Sequence, residues 1–276
     1  MQAAMRQILP VAIWMLAGTP LPACAQVEAA PSPSARPNFG GAIGLQWSNA
    51  PRYQGSNLRE NSLQPGIYLR WGRFWVATAG NFVTRQDDEV LRGVGAELVQ
   101  RDDLRVRLGL RLDPGRKTRG SPELAELDDI RPTVRARLSA AWRFKPDWQL
   151  GTGWSTDVLG RQGGSLVDLS VSHSIRLSQR THWSLGSSLS WADERYMLAR
   201  FGISPAAAAR TGRPAYEPGG GWRDAALNTE LRTDIDRRWS AWAGASVSRL
   251  LRPALASPLT LKPTQVATGA GFAWRF

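Results

Sequence analysis

Apolar and polar residues alternate along most of this chain with a period of two. Residues 264–276 show the pattern most clearly. One parity of this segment is mostly apolar and consists of Val266, Thr268, Ala270, Phe272, Trp274 and Phe276. The other parity is small or polar. Successive side chains of a strand point to opposite faces, so the segment predicts a strand between lipid and a polar space. The alternative interpretation is the last strand of a soluble sheet.

The same alternation recurs from residue 38 to the end and predicts about twelve strands. The predicted strands cover residues 39–47, 61–71, 73–83, 89–100, 103–113, 130–142, 147–157, 164–177, 181–192, 222–234, 237–249 and 264–276. An even number of strands is typical of bacterial outer-membrane barrels. The predicted fold class is therefore all-β, a transmembrane antiparallel up-and-down β-barrel of about 12 strands over residues 38–276.

The predicted connections fall into two alternating classes. The short ones are Gly72 and residues 101–102, 144–147, 178–180 and 235–236. The mostly longer ones are residues 48–60, 114–129, 193–221 and 250–263. A barrel gives this alternation when one rim faces the periplasm and the other faces the outside. A soluble sandwich has no reason to separate its loops in this way.

Tryptophans on the apolar parity predict two membrane girdles, because the indole ring favours the membrane–water interface. The girdle near the short turns consists of Trp71, Trp142, Trp148, Trp183, Trp239 and Trp274. The girdle near the long loops consists of Trp47, Trp154 and Trp191. The alternative is tryptophan in a soluble core, which would favour the middles of strands over their ends.

The polar parity is rich in arginine, and the chain carries a formal net charge of +12. A nucleic-acid partner is not predicted, because these arginines recur inside alternating strands rather than on one surface. The predicted basic cluster of the lumen is Arg105, Arg107, Arg111, Arg131, Arg135 and Arg137. Like charges this close require acids, water or bound anions between them. The lumen is then either self-paired or an anion-preferring pore or acidic-ligand site.

Residues 1–25 are predicted to be a signal peptide. Arg6 supplies the positive start, an apolar run follows, and Ala23-Cys24-Ala25 fits the cleavage site. The alternative is a lipoprotein signal with acylation of Cys24. Residues 26–37 are rich in Ala, Pro and Ser and predict a flexible leader. Cleavage before Gln26 would leave a chain without cysteine, which cannot form a disulfide.

The residues that could carry catalysis are few. The chain has two histidines, His173 and His182, and neither is placed to serve a serine at the outer rim. Acidic residues between positions 123 and 129 have a spacing that fits no standard calcium loop. The prediction is a protein that is not an enzyme, with no cofactor and no metal site.

The longest loop carries a specific order of motifs. They are Trp191-Ala192-Asp193, Tyr196-Met197, Phe201-Gly202-Ile203-Ser204, Thr211-Gly212-Arg213-Pro214-Ala215-Tyr216 and Gly219-Gly220-Gly221. Within it, Pro205 predicts the start of a short helix, which Gly212 ends. The first long loop adds Tyr53-Gln54-Gly55-Ser56. This order resembles the MipA/OmpV family over about residues 38–276. Arg195 departs from the acidic or small residue expected there.

The resemblance implies a barrel in the outer membrane of a Gram-negative bacterium. It implies a non-catalytic scaffold that holds a murein hydrolase, the lytic transglycosylase MltA, near a murein synthase. The other implied partners are outer-membrane lipid and the barrel-insertion machinery, whose recognition signal Gly271, Trp274 and Phe276 resemble. The alternative function is a narrow anion-preferring channel or a ligand-binding or adhesin barrel.

Overall fold

A computed structural model of the protein describes residues 39–78, 93–118 and 122–276. These residues form a closed barrel of twelve antiparallel strands, in which each strand pairs with its neighbours in sequence and β1 pairs with β12. The predicted fold class is confirmed. Among the described residues, no helix has the length and apolar character needed to cross a membrane.

The strands take up nearly all of the predicted segments. They are β1 (Phe39–Pro51), β2 (Arg59–Trp71), β3 (Phe74–Ala77), β4 (Gly93–Gln100), β5 (Leu104–Asp113), β6 (Thr133–Lys145), β7 (Trp148–Asp157), β8 (Ser165–Arg176), β9 (Thr181–Ala192), β10 (Gly221–Asp234), β11 (Trp239–Leu250) and β12 (Thr264–Arg275). Two short α-helices, α1 (Glu194–Phe201) and α2 (Pro205–Thr211), lie between β9 and β10. Single 3₁₀ turns occupy Pro122–Leu124 and Ala254–Ala256.

Several strand ends differ from the predictions. β1 continues to Pro51, because it stays paired with β2 as far as the Pro51–Arg59 position. β6 begins at Thr133 rather than at 130, after Pro132, which has no N–H to donate to a sheet. Residues 79–83 and 89–92 of the third and fourth predicted strands lie outside the described residues.

The register places apolar side chains outside the barrel and polar side chains inside. On β5, Leu108 lies opposite Leu138 of β6, and both are exposed on the outer surface. The adjacent Arg107 lies opposite Ser139, and both are buried inside. Such a surface is stable when hydrocarbon covers the leucines. The parity predicted from alternation is therefore the parity of the barrel wall.

The connections separate by length as predicted. The short-turn rim consists of residues 72–73, 101–103, 146–147, 177–180 and 235–238. The long-loop rim includes residues 52–58, 114–118, 122–132, 158–164, 193–220 and 251–263. Gly72 opens the tightest turn with φ 57°, a conformation in which a Cβ is unfavourable. The Phe276 backbone also lies at the short-turn rim, where it exchanges hydrogen bonds with the Gly41 backbone at 3.0 and 3.2 Å.

Two tryptophans point inward and lie over strand glycines. The indole ring of Trp75 covers Gly95 and Gly109, and a Cβ on Gly95 would lie 2.6 Å from that ring. A Cβ on Gly271 would lie 2.8 Å from the indole Nε1 of Trp242. Gly271 therefore provides room for an inward indole. Its part in a signal for the insertion machinery stays a prediction.

Because the β5 leucines face outward, replacing one of them by a charged residue should lower the free energy of unfolding by an amount that depends on its depth in the membrane. Leu108→Arg should lower the free energy of unfolding by about 2–4 kcal/mol, because it places a cation near the middle of the hydrocarbon layer. Leu104→Arg, on the same strand face at the short-turn rim, should cost about 0–1 kcal/mol. Urea unfolding of the protein in phospholipid vesicles measures both values. Equal costs at the two positions would contradict the assigned depth.

Candidate functional site

The loops of the long-loop rim share an apolar core of their own. Five side chains from three loops form its buried part: Leu124, Leu127, Ile203, Ala207 and Leu259. Tyr53, from the β1–β2 loop, packs against this group. We call the assembly of residues 52–58, 122–132, 193–220 and 251–263 the cap. Loops that bury a common core are held together, so the cap is a packed structure rather than a set of separate loops.

The two helices of the cap have well-defined ends. The Asp193 carboxylate accepts a hydrogen bond from the Tyr196 N–H at 2.8 Å and so caps α1. The Ser204 hydroxyl accepts from the Ala207 N–H, and Pro205 is the first residue of α2. Gly212 ends α2 in the left-handed conformation with φ 69°. The predicted helix from Pro205 is confirmed, whereas α1 was missed although Asp193 is a favourable cap.

Helix α1 fills part of the barrel mouth. Its Met197 and Phe201 side chains are fully buried. They pack in one cluster with Leu166, Ala192, Leu250 and Ala254, three of which lie on barrel strands. The Ser257 hydroxyl donates to the Phe201 carbonyl oxygen at 2.6 Å and ties the helix to the β11–β12 loop. Part of the top of the lumen is therefore filled by apolar side chains of the protein itself.

Three arginines surround the ring of Tyr196 on α1. The guanidinium carbons of Arg135, Arg200 and Arg223 lie 5.3, 5.7 and 5.6 Å from the ring centroid. Arg223 also donates to the Tyr196 hydroxyl at 2.9 Å. A ring face attracts a cation most strongly where water is excluded. Tyr196 thereby links the cap to β6 and β10 of the barrel wall.

Two carboxylates neutralise part of this arginine group. Asp113 accepts from Arg200 at 2.8 and 2.9 Å and lies 3.8 Å from the Nε of Arg135. Arg135 is almost wholly buried, and it donates to the carbonyl oxygens of residues 163 and 164. Arg223 pairs with the neighbouring Asp224. Each of these three cations has acceptors within the barrel wall or the cap.

Further down, arginines pair with acids on other strands. Arg107 lies 3.3 Å from Glu97, and Arg137 lies 2.7 Å from Asp168. Asp168 also accepts from the Ser190 hydroxyl at 2.8 Å. These bonds connect β4 to β5, and β6 to β8 and β9. For these arginines the geometry is that of a self-paired lumen.

The structure distributes the six predicted lumen arginines unequally. Arg105, Arg107 and Arg111 lie on the inner face of β5, and Arg135 and Arg137 lie on the inner face of β6. Arg131 does not join them. It precedes β6, its side chain is exposed, and it lines an outer cleft of about 990 Å³ at the long-loop rim. The start of β6 after Pro132 is the physical reason for the difference.

The predicted girdle tryptophans face outward in two groups. Trp71, Trp142, Trp148, Trp183 and Trp239 are exposed toward the short-turn rim, and Trp47, Trp154 and Trp191 toward the long-loop rim. Trp274 is half-buried, with its ring 5.4 Å from that of Phe276. Trp222, which lies opposite Trp191, is a further exposed indole that alternation alone did not single out. Their insertion at membrane interfaces stays a prediction.

The histidines have structural surroundings. The His173 ring stacks on Trp148 with centroids 4.6 Å apart, and its Nδ1 lies 3.1 Å from the Asp147 carbonyl oxygen. His182 lies opposite Arg176 and Arg232 near the short-turn rim. Within residues 39–78, 93–118 and 122–276, no group of three or more His, Cys, Asp or Glu side chains could hold a metal ion.

Several groups of the loops have altered pKa values, among them Tyr53 and Arg116. Burial raises the pKa of Tyr53 to about 12, and the charge of Glu123 adds to the effect. Burial also lowers the pKa of Arg116 to about 10, with a further contribution from Arg200. Both groups keep their usual charge at neutral pH. The shift of Arg116 reports a cation that is poorly solvated and lies beside another cation.

These features define a class of protein. A closed cylinder with apolar side chains outside and ion pairs inside is an outer-membrane β-barrel. The family model described as MltA-interacting protein MipA matches residues 43–276, and the chain belongs to this family. The predicted resemblance is confirmed, and the protein is located in the outer membrane of a Gram-negative bacterium.

Solved structures of outer-membrane proteins are similar to the chain at low sequence identity. The NanC porin is 10% identical, with a TM-score of 0.43, 83% of this chain and 98% of that chain covered. The CymD monoaromatic hydrocarbon channel is 10% identical, with a TM-score of 0.40, 87% and 88% covered. OmpT of Vibrio cholerae is 7% identical, with a TM-score of 0.38, 86% and 97% covered. No curated protein matches the chain.

The packing of α1 predicts that one side chain holds the cap in the mouth. Phe201→Ala should lower the free energy of cap opening by about 3–5 kcal/mol, because it leaves a cavity in a buried cluster. Leu198→Ala, on an exposed position of the same helix, should change it by about 0.5 kcal/mol or less. Native-state hydrogen exchange of the α1 and α2 amides measures both changes. Similar protection in the two variants would show that Phe201 does not anchor the helix.

Proposed function

We propose that this protein is a non-catalytic scaffold that holds a lytic transglycosylase near a murein synthase at the inner face of the outer membrane. The observation that carries the proposal is membership of the family described as MltA-interacting protein, over residues 43–276. The match covers the barrel from residue 43 onward, so the short turns available to a periplasmic partner belong to the family region.

The filled mouth and the ion pairs inside the barrel favour a scaffold rather than a wide channel. Met197 and Phe201 fill part of the mouth, and the β5 and β6 cations Arg107 and Arg137 are paired with acids on other strands. A wide solute path would leave such groups lining open water. The Nδ1 of His173 lies 3.1 Å from a backbone carbonyl oxygen, that of Asp147, rather than facing a carboxylate that could orient a catalytic base.

The short-turn rim offers a firm docking surface. The Asp236 carboxylate accepts hydrogen bonds from the N–H groups of Arg238 and Trp239, both at 2.7 Å, and these bonds lower the pKa of Asp236. Arg180 donates to the Ile235 carbonyl oxygen at 3.1 Å and links two neighbouring turns. Arg237 and Arg238 are exposed beside them. A turn fixed in this way presents its cations at little cost in conformational entropy.

A capture experiment tests the scaffold. The folded protein is immobilised and exposed to envelope extract, and we expect a lytic transglycosylase to be recovered. The variant Arg237→Gln/Arg238→Gln should recover markedly less. The control Arg131→Gln/Arg195→Gln, which removes two exposed cations from the opposite rim, should recover the normal amount. Failure to recover any murein enzyme would contradict the scaffold. If the turn variant recovered as much enzyme as the unaltered protein, the partner would not dock on Arg237 and Arg238.

Planar-bilayer recording tests the channel alternative. Because α1 occupies the mouth, we expect the purified protein to give no steady current at low voltage. Phe201→Ala, which loosens the cap, should give more frequent brief openings than Leu198→Ala. A steady anion-selective current from the unaltered protein would favour the channel over the scaffold.

A further inference from the structure

A cavity of about 640 Å³ opens at the long-loop rim between the β1–β2 loop, the end of β5 with its following loop, and α1. Its charged lining consists of Arg52, Arg111, Arg116, Lys117, Arg200, Glu60 and Asp113. The lining thus holds five cations and two carboxylates. This volume is typical of pockets that hold small molecules.

The carboxylate nearest to the arginines of the cavity is already engaged. Asp113 accepts from Arg200 at 2.8 and 2.9 Å and faces Arg135 at 3.8 Å. It also accepts from the backbone N–H of Gly115 at 3.0 Å. Asp113 therefore has little capacity left for another guanidinium group.

Arg111 is a cation without a hydrogen-bond or ion-pair partner among the described residues. It lies on the inner face of β5, directly opposite Arg135 of β6, and it forms no hydrogen bond or ion pair with another described group. Burial and the charges of Arg137 and Arg135 act on it unfavourably, and the charge of Asp113, which is bonded to Arg200, acts in its favour. A half-buried guanidinium between two others is costly unless an anion joins it.

Arg116 is the second incompletely satisfied cation. Its Nη1 donates to the Arg200 carbonyl oxygen at 2.8 Å, but its Nε is buried and has no acceptor among the described residues. The Tyr53 ring centroid lies 6.0 Å from its guanidinium carbon. Lys117, the next residue, is exposed at the same cavity. Two guanidinium groups and an ammonium group thus converge on one space.

We propose that this cavity binds a small multivalent oxyanion, of the phosphate or carboxylate class, through Arg111 and Arg116, with Lys117 at its entrance. The planar guanidinium group can donate two parallel hydrogen bonds to two oxygens of one phosphate or carboxylate group. The anion is a soluble solute rather than a lipid headgroup, because the lining includes Arg111 and Gln265 of the inner barrel face. This site is independent of partner docking at the short-turn rim.

Calorimetric titration of the folded protein in detergent tests the site. The probes are inorganic pyrophosphate and succinate, with sodium chloride at equal ionic strength as the reference. We expect at least one probe to bind. Arg111→Gln and Arg116→Gln should each raise the Kd of that probe by about tenfold or more. The matched control Arg131→Gln, outside the cavity, should leave the Kd unchanged. Absence of binding by both probes, or equal Kd values for all variants, would overturn the proposal.

Thermal unfolding separates a binding role from a structural one. Without a probe, Arg111→Gln should unfold at the same or a higher temperature than the unaltered protein, because it removes a partly buried cation that lies beside the cations Arg135 and Arg137. With a saturating probe, the unaltered protein should be the more stable of the two. A lower unfolding temperature of Arg111→Gln without any probe would show that Arg111 supports the fold, and it would overturn the proposed site.

Discussion

The closed ring of backbone hydrogen bonds is the constraint on which this structure depends. β1 pairs with β12 over eight positions, from Ala42–Arg275 to Asn49–Thr268, and this pairing removes both free edges of the sheet. Hydrocarbon offers no donors or acceptors, so a barrel that crosses it must satisfy its backbone internally. Closure also separates the two faces of every strand. The outer face has to be apolar, and the inner face can then hold charge.

The confinement of charged side chains to the lumen explains most of the ion pairs between strands. A guanidinium group inside a narrow barrel is near protein on all sides, and acids from other strands become its natural partners. Arg107 with Glu97 and Arg137 with Asp168 follow this rule. The rule weakens at the mouth, where Arg111 lies among arginines and Asp113 already serves Arg200. Arg111 therefore remains without an ion-pair partner among the described residues at the long-loop end.

The cap gives the two rims different roles. At the long-loop rim, Leu124, Ile203 and Leu259 come from three loops, and they bury a core above the strands. At the short-turn rim, the connections are tight, and the exposed cations Arg237 and Arg238 follow Asp236 in one turn. A filled mouth is compatible with a barrel that binds its partners on its surface and does not conduct solutes through its lumen. It also creates a cavity at the long-loop rim that an open barrel would lack.

The sequence alone determined the barrel, its strand parity, its alternating loop lengths and helix α2. These depend on local signals, namely a side-chain period of two and the turn preferences of Pro205 and Gly212. Only the tertiary structure decided which charges meet. Arg137 and Asp168 form an ion pair although they are 31 residues apart. Arg131 lies outside the lumen because β6 begins after Pro132. The isolation of Arg111 and the packing of α1 into the mouth depend on strand register and on contacts between distant loops, and a local pattern contains neither.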